Sequence, residues 1–244
     1  MNGTTSKASF SRALFFKAGF RALARPVLAG AAVLLASAPA FAVKPFTADY
    51  EANYMGMQAQ GQMTLASAGG DRWKYTLSIH NGLAQLSQST VFEDKDGTWR
   101  PLSGTDSSML LVKHVNKNAT YDWAKREARW SGDVKPDRSG PVALQPGDLD
   151  AMLVNLAIAR DAAAGKPLTY RMVDDGRAKQ MTYQVAGKET LTVEGKSQQA
   201  TKLTRSDGDK QTVVWVVDGF PVPARILQRK DGKDEMDLKL TSVR

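Results

Sequence analysis

Cysteine is absent from the 244 residues, and histidine occurs only as His80 and His114. The first absence excludes disulfides, thiol chemistry and a lipid-modified amino-terminal cysteine. The second leaves a Ser-His-acid triad only these two imidazoles, and no Gly-x-Ser-x-Gly elbow occurs. Zinc is as poorly served, since there is no thiolate and the two histidines are not at helical ligand spacing. No cofactor and no metal site is expected. Beyond the first 42 residues, no apolar run approaches the ~20 residues that cross a bilayer.

Acid is also missing from the start of the chain. Met1 to Arg25 carries Lys7, Arg12, Lys17, Arg21 and Arg25 without an Asp or Glu, then Val27 to Ala36 is apolar and small, and Ala40-Phe41-Ala42 fits a small-x-small cleavage site. Residues 1–42 are therefore expected to be a secretory signal peptide cut after Ala42, and residues 43–244 one mature domain in a bacterial periplasm. Five of the 33 basic residues and none of the 25 acids precede residue 43, so the mature charge is +3 rather than +8. That modest charge gives no reason to expect nucleic acid as a partner.

What is abundant is alternation. Trp73, Tyr75, Leu77 and Ile79 alternate with polar residues, as do Met236, Leu238 and Leu240, which is the pattern of strands with one buried and one wet face. Asp-Gly pairs at 96, 175, 207, 218 and 231 accept the positive φ angles of tight hairpins, so neighbouring strands are expected to pair antiparallel in chain order.

One stretch breaks the pattern. Gly147 to Gly165, GDLDAMLVNLAIARDAAAG, reads as a helix over about 148–164, with Asp148 as N-cap and Gly165 as the stop. Leu149, Met152, Leu153 and Leu156 form one apolar stripe, and Val154 with Ile158 forms another nearly opposite. A helix apolar on two sides needs cover on both. The expected fold is mainly β: a strongly curved antiparallel meander, a half-barrel or barrel-like sheet, wrapped around one central helix. A β-sandwich capped by the helix is the alternative.

Candidate chemistry is thin. The acidic pairs Asp94/Asp96, Asp148/Asp150 and Asp174/Asp175 fall at turns or at the helix start, where capping explains them, although a glycosidase-like pair assembled by folding leaves no sequence signature. Met55-Gly56-Met57, with Met63, has the thioethers of a Cu(I) carrier but no adjacent histidine. Lys113, Lys117, Lys125, Arg126 and Arg129 lie near Trp123 and Trp130, a basic-aromatic mixture that equally describes a lysine-protected sheet edge. If the sheet does not close on the helix, Trp73, Tyr75, Met152, Leu156 and Trp215 are the residues expected to line an apolar cavity for a long-chain ligand.

The order of Tyr50-Glu51-Ala52, FEDKDGTWRP at Phe92 to Pro101, the helix after a Pro-rich loop, Gly165 to Asp174, and WVVDGFPVPARI at Trp215 to Ile226 resembles the exported bacterial family called domain of unknown function 3108. The resemblance spans nearly the whole chain after the leader and rests on order and spacing. Pro223-Ala224-Arg225 stands where the family has Pro followed more directly by Val-Arg. The family has no established activity, so no catalytic residue carries over. Its fold is similar to the half-barrels of periplasmic lipoprotein carriers, and the resemblance thereby implies carriage of a lipid or acyl chain.

The expectation is thus a non-enzymatic periplasmic protein that binds a lipid, an acyl chain or a lipidated envelope partner in envelope maintenance. An interaction scaffold with a solid core, and a hydrolase using unflagged carboxylates, are the alternatives.

Overall fold

The computed structural model describes residues 43–54, 56–110 and 113–244; the expected leader and its cleavage point after Ala42 lie outside them. Seven strands come first: β1 Phe46–Tyr54, β2 Met57–Ser67, β3 Arg72–His80, β4 Ala84–Lys95, β5 Thr98–Leu110, β6 Lys113–Asp122 and β7 Glu127–Gly132. A 3-10 turn, Pro136–Arg138, and the short β8 Val142–Ala143 lead into the helix α1 Ala151–Ala163. After it come β9 Thr169–Asp174, β10 Arg177–Thr182, β11 Gln184–Val193, β12 Lys196–Asp207, β13 Lys210–Val217, β14 Arg225–Lys230 and β15 Lys233–Val243.

The strands form one long antiparallel sheet that does not close into a barrel. Its order is β11-β12-β13-β14-β15-β1-β2-β3-β4-β5-β6-β7-β8, with β9 and β10 as a separate hairpin. The meander therefore runs in chain order through both halves, and the two halves join where β15 pairs with β1, Tyr50 opposite Leu240. Register carries one face across the seam: Leu203, Val214, Ile226, Leu238 and Ala52 stand side by side, all buried.

The helix lies on that face. Leu153, Val154, Ala157 and Ile158 are at most 1% exposed, and they share one core with β1–β3 and β12–β15. On its other side Tyr170 of β9 donates to Asp161 at 3.3 Å, and Tyr170, Met181 and Tyr183 belong to the same core. Apolar residues all round a helix require this enclosure, because each large side chain gains about 1.5–3 kcal/mol by leaving water.

The start of the helix departs from the sequence expectation. Asp150, not Asp148, is the N-cap, accepting from the Leu153 N–H at 2.8 Å. Leu149 is held extended against β9, its N–H on Arg171 O at 3.2 Å and its carbonyl on Val173 N at 2.8 Å, so helical dihedrals begin only at Ala151. Asp148 is engaged elsewhere: it accepts from the Gln145 N–H at 2.7 Å and pairs with Arg171.

Three Asp-Gly turns have positive φ at both residues, Asp96-Gly97, Asp175-Gly176 and Asp231-Gly232, as tight hairpins of this type demand. Gly176 has a second reason to be glycine. At φ +69° its missing Cβ would stand 2.3 Å from the carbonyl oxygen of Arg138. Gly176→Ala is expected to cost about 2 kcal/mol or more, from left-handed strain and that clash, read as a lower urea midpoint.

Candidate functional site

Two hollows flank the helix, one at each of its ends. The larger, about 420 Å³, lies along its C-terminal half. Leu156, Ala159 and Ala163 form the helix wall; Phe46, Leu65 and Trp99 of the sheet and Phe220 with Pro221 of the β13–β14 loop form the rest. The hollow exists because the helix turns small residues toward it. Where Leu153 and Ile158 are fully buried, Ala159 and the exposed Ala163 present only methyl groups to the hollow, which opens to solvent.

Its rim is polar. The Arg160 guanidinium sits 4.1 Å from the centre of the Trp99 ring, held by Asp161 at 2.8 Å and by the Gly97 carbonyl at 3.2 Å. Lys44 stands at the same rim. The Trp99 indole N–H is buried and meets no acceptor, a cost of roughly 1–3 kcal/mol while it stays so. An apolar trough with a cationic rim suits a chain-like amphiphile better than it suits a polar metabolite.

The smaller hollow, about 210 Å³, lies at the helix N-terminus and is lined by polar side chains, among them Gln88, Thr90, Asp106, Lys117, Asp150 and Asp174. Register explains the gathering, because Gln88, Asp106 and Lys117 are cross-strand neighbours on the inner face of β4, β5 and β6. Gly104 lies on the same face, within ordinary contact distance of Asp150: a Cβ there would stand 4.0 Å from Asp150 Oδ2. The Asp150 carboxyl is pushed up to about 7, first by burial and then by the charge of Asp174, against the opposing hydrogen bonds of Thr90 and the Leu153 and Met152 N–H groups. Asp174 is raised too, chiefly by burial.

Of the residues expected to line an apolar cavity, Leu156 lines the larger hollow and Met152 the smaller. Tyr75 is wholly buried in the core, donating to Met63 Sδ at 3.0 Å and meeting Phe46 edge-on at 6.1 Å. Trp73 is half-buried on the same strand and packs against that core. Trp215 lies on the sheet face away from the helix, its indole N–H on Glu189 at 2.7 Å, with Arg225 and Lys202 at 4.7 and 5.4 Å from its ring centre. Phe46, Leu65, Trp99, Ala159, Ala163 and Phe220 were outside the sequence expectation. Alanines at 159 and 163, one helical turn apart beside a stretch of leucines, were the available signal.

The other candidates are dispersed by the fold. Lys117 faces inward and pairs with Asp175 at 3.2 Å, Lys125 and Arg126 sit at the β6–β7 turn, and Trp123 donates to the Pro101 carbonyl at 2.7 Å. Met63 is buried and Met57 sits at a hairpin tip, so these two thioethers share no site. Among the described residues no three acidic or imidazole groups converge as metal ligands.

Comparison with known proteins bears on this architecture. A family model described as "Protein of unknown function (DUF3108)" matches residues 49–239. The chain belongs to that family. The match takes in both halves of the sheet, the helix and the smaller hollow; of the larger hollow it leaves out Val43, Lys44 and Phe46. No curated protein matches it. Among solved structures it is similar to a β-barrel-like protein of domain of unknown function DUF1849 from Brucella abortus, at 14% identity and TM-score 0.49, covering 82% of this chain and 97% of that one. It is similar to MucB at 10% identity and TM-score 0.37, where it spans about half of that chain, 52%. A third likeness is to a domain described as an outer membrane lipoprotein-sorting protein from Vibrio parahaemolyticus, at 11% identity and TM-score 0.22, covering 82% and 84% of the two chains.

Proposed function

We propose that this family member is a periplasmic, non-enzymatic protein that binds the apolar chain of a lipid or lipidated partner in the hollow beside α1, as part of envelope maintenance. The observation that carries this reading is the hollow itself: about 420 Å³, walled by Leu65, Phe46, Leu156 and Phe220, inside the usual size range for ligand sites of ~300–1,000 Å³. An acyl chain laid along Ala159 and Ala163 gains burial at each methylene, about 0.8 kcal/mol apiece, and the Arg160–Lys44 rim receives an anionic head.

The smaller hollow supports a carboxylate hydrolase less well. Asp150 has its oxygens committed to the Leu153 N–H and to Thr90, and about 210 Å³ is below the size of most substrate sites. Asp150 is accounted for as a buried helix cap.

The test is binding of 1-N-phenylnaphthylamine, read by fluorescence, and its displacement by palmitate. Wild type is expected to bind the dye and release it to the fatty acid. Ala163→Trp, which lays an indole into the hollow from an exposed position, is expected to weaken binding about tenfold or more while the melting temperature stays within a few degrees. Dye binding that is absent in wild type, or unchanged in the variant, contradicts the proposal and favours the scaffold reading.

A further inference from the structure

Tryptophan sets one hydrogen-bond donor on a large apolar ring, and inside a fold that N–H usually finds an acceptor. Two tryptophans here do so: Trp123 donates to the Pro101 carbonyl and Trp215 to Glu189, each at 2.7 Å. Buried tyrosines do the same, Tyr50 donating to the Pro223 carbonyl at 2.8 Å and Tyr121 to that of Val173 at 3.1 Å. Trp99 and Trp130 differ. Both are 6% exposed, and among the described residues their indole N–H groups are buried without a partner. These same two tryptophans line the hollows beside the helix, Trp99 the larger and Trp130 the smaller.

The surroundings of Trp99 offer its N–H no acceptor. Arg160, 4.1 Å from the ring centre, carries only donors, and Asp161 takes two of them at 2.8 and 3.1 Å. The Gly97 carbonyl accepts a third at 3.2 Å. Phe92, with its ring centre 5.7 Å away, and the hollow walls Phe46 and Leu65 are apolar. No carboxylate lines the larger hollow, and its charged lining is Lys44 with Arg160.

We infer that Trp99 selects the occupant of this hollow by donating its indole N–H to a carbonyl or carboxylate oxygen at the head of an apolar chain. The inference rests on the ligand reading above and adds the chemistry of the head. An oxygen brought in by the occupant satisfies the orphaned N–H, whereas a wholly apolar occupant, or one whose head carries only donors, leaves it unpaired. Lys44 and Arg160 favour an oxygen bearing negative charge and repel an ammonium head. A fatty-acid carboxylate and the ester carbonyl of an acylated molecule both present such an oxygen, and the rim favours the first.

Trp99→Phe keeps an aromatic ring in the wall and removes the donor. Phenylnaphthylamine, which has no carbonyl, is expected to bind the variant as it binds wild type, while palmitate displaces the dye about tenfold less well. Methyl palmitate separates the two sources of oxygen: a loss confined to palmitate assigns a free carboxylate, and an equal loss for the ester assigns a carbonyl that both share. Trp130→Phe, which removes the other unpaired N–H, is expected to leave palmitate displacement unchanged. In NMR of nitrogen-labelled indoles, the resonance missing from Trp99→Phe should move downfield when palmitate is added to wild type, while those of Trp123 and Trp215 stay in place. Palmitate bound as tightly by Trp99→Phe as by wild type overturns the inference, as does a Trp99 resonance that palmitate does not move. Equal losses of dye and palmitate also overturn it and make Trp99 a wall only. A wild type that binds neither dye nor palmitate overturns the ligand reading itself, and this inference with it.

Discussion

Replacing Leu153 with aspartate is expected to abolish folding. The side chain is fully buried, on a helix enclosed by the sheet on one side and by the β9–β10 hairpin on the other. A carboxylate there meets no cation and no water, so it costs several kcal/mol as a charge or as a forced protonation, on top of the lost packing. Domains of this size hold only ~5–15 kcal/mol in total. Circular dichroism should show no cooperative melt. Leu156→Asp provides the contrast, because Leu156 borders the hollow, where water can hydrate the carboxylate; a destabilised but folded protein is expected. A Leu153→Asp variant melting within a few degrees of wild type would mean that the helix is not the centre of the fold.

The second large effect is in pH. The Asp150 carboxyl titrates at about 7 in the folded protein, against about 3.9 unfolded. Between those values the folded state keeps a proton that the unfolded state has released. Its contribution is therefore fully present below about pH 4, declines as pH rises, and is gone above about pH 7, a span on the order of 4 kcal/mol. Asp174, raised in the same direction by burial, adds to the slope. Asp150→Asn keeps an acceptor for the Leu153 N–H but cannot ionise. Urea midpoints are expected to show the variant more stable than wild type at pH 8, with the difference shrinking toward pH 5. Parallel profiles for the two proteins would mean that Asp150 ionises freely and is not the buried cap described.

Much of the architecture was legible because its signals are local. Alternation in Trp73 to Ile79 and in Met236 to Leu240 marked strands with one buried face, and Asp-Gly pairs marked the turns that make a meander. Two apolar stripes on one helix called for cover on both sides. The pairing of β15 with β1 was not legible, since nothing in either strand names a partner about 190 residues away. The N-cap was missed because Asp148 and Asp150 satisfy the same local rule, and only the contact of Leu149 with β9 decides between them. Trp215 sits in the run Val213 to Val217, which is buried on both faces, so alternation there does not say which side meets the helix. Lys117 reads as part of a lysine-protected sheet edge, and nothing in the sequence singles out Gln88 or Asp106, yet all three line the inner face where the helix ends. The larger hollow was the hardest to foresee. Ala159 and Ala163 continue an apolar stripe, and the stripe does not show that small side chains leave space rather than fill it.

The central claim is that this space holds an apolar chain. Native mass spectrometry of the protein, purified from its own host without detergent, tests it most directly. The account predicts a population carrying an added mass that collisional activation releases as an acyl-chain lipid, and predicts its loss in Ala163→Trp. A wild-type spectrum containing only the bare chain, unchanged after incubation with palmitate, would contradict it.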